Sequence, residues 1–201
     1  CRPGAYRPRQ SVSGKVAALK VTSFRKDLRP WSYERLCDLG ESCFTSKSRG
    51  ASRMDLARSV FLLASKMSPD RPTAHQGIGT AAFKSGLSYY KSGEYEQTIK
   101  SLSLCLRKIP DHIDAYFLRA ECYQASPGVL ATNHRRAVRD LNKVIEARPK
   151  DADAFHSRGI SYEHLRNYVL AEEDYTSASR LSPNKVFAEG LVFMAKLYIQ
   201  P

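Results

Sequence analysis

The sequence predicts an all-α fold, an α-solenoid of helix–turn–helix repeats preceded by a basic N-terminal arm. Three observations predict it. Apolar residues recur at helical spacing, as in Phe83, Leu87 and Tyr90, then Ile99, Leu102 and Leu106. A phrase of two short helices, split by a turn and closed by a proline, recurs along the chain and ends at Pro110, Pro149 and Pro183. The spacing from Gly79 to Ile113 is 34 residues, and from Ala152 to Val186 it is 34 again.

Residues 1–32 lack an apolar period. They hold Arg2, Arg7, Arg9, Lys15, Lys20, Arg25, Lys26 and Arg29 against Asp27 alone, a net +7, and Pro3, Pro8 and Pro30 interrupt helix. Such a segment is either a disordered basic tail or an arm that docks on an acidic surface. Residues 33–78 form a degenerate unit with a connector. Leu36, Leu39, Gly40, Cys43 and Phe44 suit one helix, and Leu56, Ala57, Val60, Phe61 and Ala64 a second that ends at Pro69. The stretch 70–78 carries Pro72 and Gly77 and reads as a loop or a loosely extended helix start.

Three better units fill residues 79–185. In the first, Gly93 sits between the helices, where a tight turn wants a residue tolerant of positive φ. A small residue precedes an aromatic by three in each first helix: Gly86 and Tyr89, Ala120 and Tyr123, Gly159 and Tyr162. The second helices repeat a small–large–small order: Thr98, Leu102 and Cys105; Ala137, Leu141 and Val144; Ala171, Tyr175 and Ala178. Small residues let paired helices approach, and the large one fills the gap. Residues 186–201 predict one apolar helix, a cap or half repeat, with Phe187, Phe193 and Met194 suggesting that something covers it.

This rhythm resembles the tetratricopeptide repeat superfamily over residues 33–185. The resemblance implies that first helices line a concave groove that holds a protein or peptide. Its groove positions fall here on Glu34, Cys37, Glu41 and Phe44; Thr80, Phe83, Leu87 and Tyr90; Asp114, Phe117, Glu121 and Gln124; Asp153, His156, Ile160 and Glu163. None is Lys or Arg and six are acidic, in a chain of formal charge +12. The groove is therefore expected to be acidic with an aromatic floor at Phe83, Tyr90 and Phe117, suited to a ligand with basic and apolar side chains. The bland alternative is that several of these residues are solvated or pack between units. A subclass of the family clamps a chaperone's carboxylate tail with Lys and Asn at such positions, and those residues are absent here.

Two units depart from the family's spacing. Tyr123 to Ala137 and Cys43 to Ala57 each span 14 residues where Tyr89 to Thr98 spans 9, insertions of five expected in the turn inside each unit. They are either tolerated loop drift or a basic edge of Lys47, Arg49, Arg53, Arg135 and Arg136 that cooperates with the arm.

Composition narrows function. The charge favours acidic partners: nucleic acid, an anionic membrane or the acidic surface of another protein. The arm offers only Tyr6, Phe24 and Trp31 for base stacking, so a nucleic-acid module is the second reading. The chain starts at Cys1 and is read as a fragment or processed chain; no membrane span is expected, since no run of about 18 apolar residues exists. Five cysteines without a C-x-x-C pair suit a reducing compartment. His75, His112, His134, His156 and His164 show no metal spacing, and aspartate capping is the expected role around His112, beside Asp111 and Asp114. Neither a phosphate loop nor a nucleophile elbow appears. The expectation is a non-enzymatic scaffold without cofactor or metal, cytoplasmic, its arm on an acidic filament such as a microtubule in a cytoskeletal or ciliary assembly.

Overall fold

The computed structural model describes residues 32–45, 51–126 and 130–183, and these form eight helices. They are α1 (Tyr33–Thr45), α2 (Ala51–Met67), α3 (Pro72–Lys91), α4 (Tyr95–Lys108), α5 (Ile113–Ala125), α6 (Leu130–Ala147), α7 (Ala152–His164) and α8 (Tyr168–Leu181). The basic arm, Lys47 and Arg49 of the first inserted loop, and the apolar C-terminal stretch from Val186 lie outside the described residues. The chain divides between Ile78 and Gly79, inside α3, into two compact units.

In the first unit α1 pairs with α2 around Phe61, which is 1% exposed. The ring fits because two neighbours are glycine. A Cβ on Gly40 of α1 would lie 2.6 Å from it, and one on Gly77 of α3 closer still. The Phe44 ring stacks with it, the centroids 5.8 Å apart and the planes 25° from parallel. Of the stretch 70–78, the residues from Pro72 are helix, the second of the two readings, and only Asp70 and Arg71 remain outside it. Pro72 occupies the first helical position, where its missing N–H costs nothing, and α3 runs unbroken from there. Gly77 admits a ring rather than breaking the helix. Tyr33 secures the start of α3 by accepting from the Ala74 amide at 3.1 Å, while Arg71 lies over the Tyr33 ring and donates to Glu34 at 2.7 Å.

The second unit stacks three helix pairs. Buried clusters mix residues from neighbouring repeats: Ala82, Leu102, Cys105 and Leu106 with Ala115 and Leu118 of the next first helix, then Ala120, Ala137, Leu141 and Val144 with Ala154. No repeat buries its apolar face alone, which is the physical basis of a solenoid. Gly86 and Gly159 mark close approaches within their helix pairs. A Cβ there would sit 3.0 Å from Leu102 and 2.7 Å from Tyr175.

The turns repeat as well. Gly93 has φ +74 and Arg166, at the same place in its own unit, has φ +60. In both turns the next amide returns to the aromatic's carbonyl, Glu94 to Tyr89 and Asn167 to Tyr162, each at 2.9 Å. A non-glycine residue in this conformation costs about 1–2 kcal/mol, so the second turn is held by its surroundings. Asp151 caps α7 by accepting from the Ala154 amide at 3.2 Å. The aspartate cap expected around His112 is not formed. His112 itself stands at the N-cap of α5 without a side-chain bond, and its ring lies against Phe83 at 4.2 Å.

The insertions are placed differently from expectation. Every first helix ends two residues past its aromatic position, or past Cys43 in the first unit, so no insertion lengthens it. α4 and α8 start three residues before Thr98 and Ala171, whereas α6 starts seven before Ala137 and α2 six before Ala57. Most of each insertion is thus extra helix at the start of the second helix, not loop. Arg53 stands on the added turn of α2, and Arg135 and Arg136 follow the added turn of α6, residues 130–133.

Just after the added turn of α6, His134 is buried, 2% exposed, against His164 of α7, the rings 4.3 Å apart and 12° from parallel. Burial first, and then the neighbouring His164, hold His134 below its ordinary value of 6.5. The unfolded chain therefore takes up a proton that the folded chain refuses. Stability of the second unit is expected to be flat above about pH 6.5 and to fall as pH drops through it, until the lower folded-state value is passed. A His134→Phe variant, which keeps a ring on His164, should lose that part of the slope when melting temperatures at about pH 7.5 and pH 5 are compared.

Candidate functional site

The first helices of the second unit are joined edge to edge by side chains. Tyr90 of α3 donates its hydroxyl to Glu121 Oε2 of α5 at 3.3 Å. Gln124 of α5 donates to Ser157 O at 2.6 Å and to Ser161 Oγ at 2.7 Å, both on α7. α3, α5 and α7 therefore share one inner face.

That face keeps its negative charge because its cations are drawn away. α5 and α7 each contain a single basic residue of the Lys or Arg type, Arg119 and Arg158. Arg119 forms a two-pronged pair with Asp140 of α6 at 2.7 and 2.8 Å and donates to Ser103 of α4 at 3.0 Å. Arg158 repeats the arrangement with Asp174 of α8 at 2.8 and 2.7 Å and with Asn142 of α6 at 2.7 Å. The guanidinium planes lie beside Tyr116 and Tyr123, and beside Phe155 and Tyr162. Both arginines are thus turned toward the second helices and neutralised there.

What remains inside is acidic. Glu121 is half-buried, and burial, helped by nearby Asp153, raises its carboxyl above the usual range against the opposing Tyr90 hydrogen bond. The Tyr90 phenol is raised in turn, by burial and then by Glu121. Asp153 is exposed, and Glu163 accepts from the Tyr175 hydroxyl at 2.9 Å. His156 tilts against the Tyr175 ring at 5.6 Å. Leu87 is 37% exposed beside these groups, and Phe83 and Tyr90 are half-buried against the first cluster.

Other expected groove residues have different surroundings. Asp114 is paired with Arg148 at 2.7 Å, so a cation already answers its charge. Phe117 packs on the second buried cluster and Ile160 on Tyr175. Thr80 is half-buried, and Gln124 is spent on joining α5 to α7. In the first unit Glu34 pairs with Arg71, Glu41 is exposed, and Cys37 is a core residue, 6% exposed, not a groove residue. At the edge, Arg53 is half-buried, Arg135 is exposed, and Arg136 lies 5.8 Å over the Tyr123 ring. The arginine pairs were not anticipated. Their signal was present, an arginine at the seventh place of two units and an aspartate in both partner helices.

Among the described residues, no group of three or more metal-ligating side chains converges and no helix is long and apolar enough to cross a membrane. Cys37, Cys43, Cys105 and Cys122 are free and buried. Burial pushes the Cys105 thiol up to about 11 and Cys122 up to about 12, so both are protonated and unreactive near neutral pH.

The family model of the tetratricopeptide repeat matches residues 80–112. The chain is 30% identical to Protein SGT1 homolog of Homo sapiens over 86 residues, covering 43% of this chain and 22% of that protein. It is 26% identical to Hsp70-Hsp90 organizing protein 3 of Arabidopsis thaliana over 107 residues, 53% of this chain and 18% of that protein. The chain thus spans less than a quarter of the length of these relatives. Among solved structures, the first TPR of Spaghetti (RPAP3), bound to the HSP90 peptide SRMEEVD, superposes with TM-score 0.54 at 20% identity, covering 61% of this chain and 95% of that one. The Arabidopsis OM64 TPR domain gives 0.53 at 20% identity, covering 61% and 96%. At this identity the likeness is one of fold.

Proposed function

We propose that this chain, a member of the tetratricopeptide repeat superfamily, is a protein-interaction scaffold without enzymatic activity, whose inner face on α3, α5 and α7 holds a partner segment rich in basic and apolar side chains. One observation carries this reading: Glu121, Asp153 and Glu163 share a face from which Arg119 and Arg158 are withdrawn. Burial and the neighbouring Asp153 both work against a negative charge on Glu121. A Lys or Arg brought close by a partner relieves both penalties, while Phe83, Leu87 and Tyr90 offer apolar contact beside it. The SRMEEVD peptide held by the RPAP3 domain has the opposite charge to the ligand that such a face favours. The N-terminal arm and the edge arginines extend the reading, anchoring the scaffold to an acidic surface such as a microtubule in a cytoskeletal or ciliary assembly.

Fluorescence anisotropy with an alternating Arg–Leu peptide tests the groove. Glu121→Lys with Glu163→Lys should weaken binding by about tenfold or more, since placing like charges together costs several kcal/mol. Equal affinity in the variant, or tighter binding of the SRMEEVD peptide by the parent chain, would sink the reading. Microtubule co-sedimentation with and without residues 1–32, across a salt series, tests the anchor separately.

A further inference from the structure

Two second helices, α4 and α6, each carry a net charge of +2, against the net negative charge of α5 and α7. Arg119 bridges α4 and α6 by donating to Ser103 on one and Asp140 on the other. Ser103 and Asp140 therefore mark where the two helices flank a common furrow. On α4, Lys100 and Arg107 stand three residues before and four after Ser103, on its stripe. On α6, Arg136 and Lys143 share the stripe of Asp140, with Arg139 beside it. All five are exposed. Arg119 adds no net charge to the furrow, because Asp140 neutralises it. Lys143 meets Glu146 at 2.8 Å in a pair exposed on both sides, which solvent weakens.

We propose that this furrow is a second docking surface, separate from the inner face, and that it takes an acidic polypeptide segment. Arginine forks and lysine ammoniums in two facing rows suit carboxylates spaced along a short strand or helix. Two features favour a polypeptide over nucleic acid. Glu96 stands at the start of α4 and Glu146 near the end of α6, so the wholly positive stretch covers about two helical turns, roughly 10 Å. A duplex presents one charge every ~1.7 Å well beyond that length and meets a carboxylate at each end. Nor does either helix offer an exposed aromatic for base stacking. Their described aromatic residue, Tyr95, is half-buried and edge-on to Tyr90. The surface does not depend on what the inner face binds, since the cations it offers, Lys100, Arg107, Arg136, Arg139 and Lys143, all stand on α4 and α6.

The test uses the whole chain and a labelled oligoglutamate of about ten residues, long enough to run the furrow as helix or strand. Lys100→Glu, Arg107→Glu and Arg139→Glu together should lower its affinity by about tenfold or more. The same three positions as Gln should lower it less, with helix content by circular dichroism confirming that the repeats remain folded. Glu121→Gln on the inner face should leave it unchanged. An affinity unaltered by either triple variant would overturn the proposal, because the oligoglutamate would then be held elsewhere, on the N-terminal arm for instance. No measurable binding by the parent chain would also overturn it. So would a duplex DNA that binds more tightly than oligoglutamate and loses that binding in the Glu variant, which would make the furrow a nucleic-acid surface.

Discussion

Replacing Asp140 with alanine should destabilise the second unit by about 3–5 kcal/mol, the cost of leaving a buried cation without its partner. Asp140 is 6% exposed and accepts both prongs of Arg119, whose side chain is itself only 17% exposed. Without the carboxylate the guanidinium keeps only Ser103 and the faces of Tyr116 and Tyr123, none of which carries a charge. Removing both partners should behave differently. Arg119→Met with Asp140→Leu leaves no orphaned charge and fills similar volume, so stability should return to near the parent or exceed it. Urea unfolding followed by helix signal checks both. A loss under about 1 kcal/mol in Asp140→Ala would mean that water reaches Arg119 and that the pair behaves as a surface one. Asp174→Ala should follow the same course, since the Arg158 pair is as deeply set, at 20% and 5% side-chain exposure.

In the first unit the largest effect is expected at Phe61. Phe61→Ala should cost about 3–5 kcal/mol, the sum of lost apolar transfer and the cavity left behind. The cavity will not collapse easily, because the walls at Gly40 and Gly77 are backbone of two helices. The complementary change is Gly77→Val, which drives a branched side chain into the same ring and forces α3 away from α2. Both should lower the urea midpoint, the second while leaving Phe61 in place. A tolerated Gly77→Val would show that the start of α3 is free to shift off the ring.

The repeat was legible because its signals are local. Gly93 marks its turn by a conformation that favours glycine, and the pairs Gly86–Leu102 and Gly159–Tyr175 mark close helix approach at fixed spacing. The second turn was not legible in this way, since Arg166 occupies the same conformation without a residue type that announces it. The inserted residues also misled. Read as loop, they are mostly an added turn on α2 and α6, because a helix start can be extended wherever capping and burial allow, and spacing alone does not say which side of the turn grows. Pro72 and Gly77 looked like breakers, yet one opens α3 and the other receives Phe61.

The candidate site was legible in composition rather than in detail. An inner face without Lys or Arg at the family's positions follows from counting residues. Which groups the acids meet does not: Asp114 is met by Arg148 and Glu34 by Arg71, while Glu121 is half-buried and accepts from the Tyr90 hydroxyl. The two ion pairs join residues 34 and 37 positions apart.

By itself, then, the sequence determined the helical repeat, its period, the tight turn at Gly93 and the absence of Lys and Arg at the family's groove positions. These follow from the periodicity of side chains along a helix and from residue types that act within one turn of chain. Only the tertiary structure decided where the arginines of the first helices go. Their charges are buried, so each must find a carboxylate, and that carboxylate lies on the second helix of the same repeat with a further acceptor on the repeat before. That choice separates an acidic inner face from a basic furrow, and it rests on packing between helices that no local rule reports.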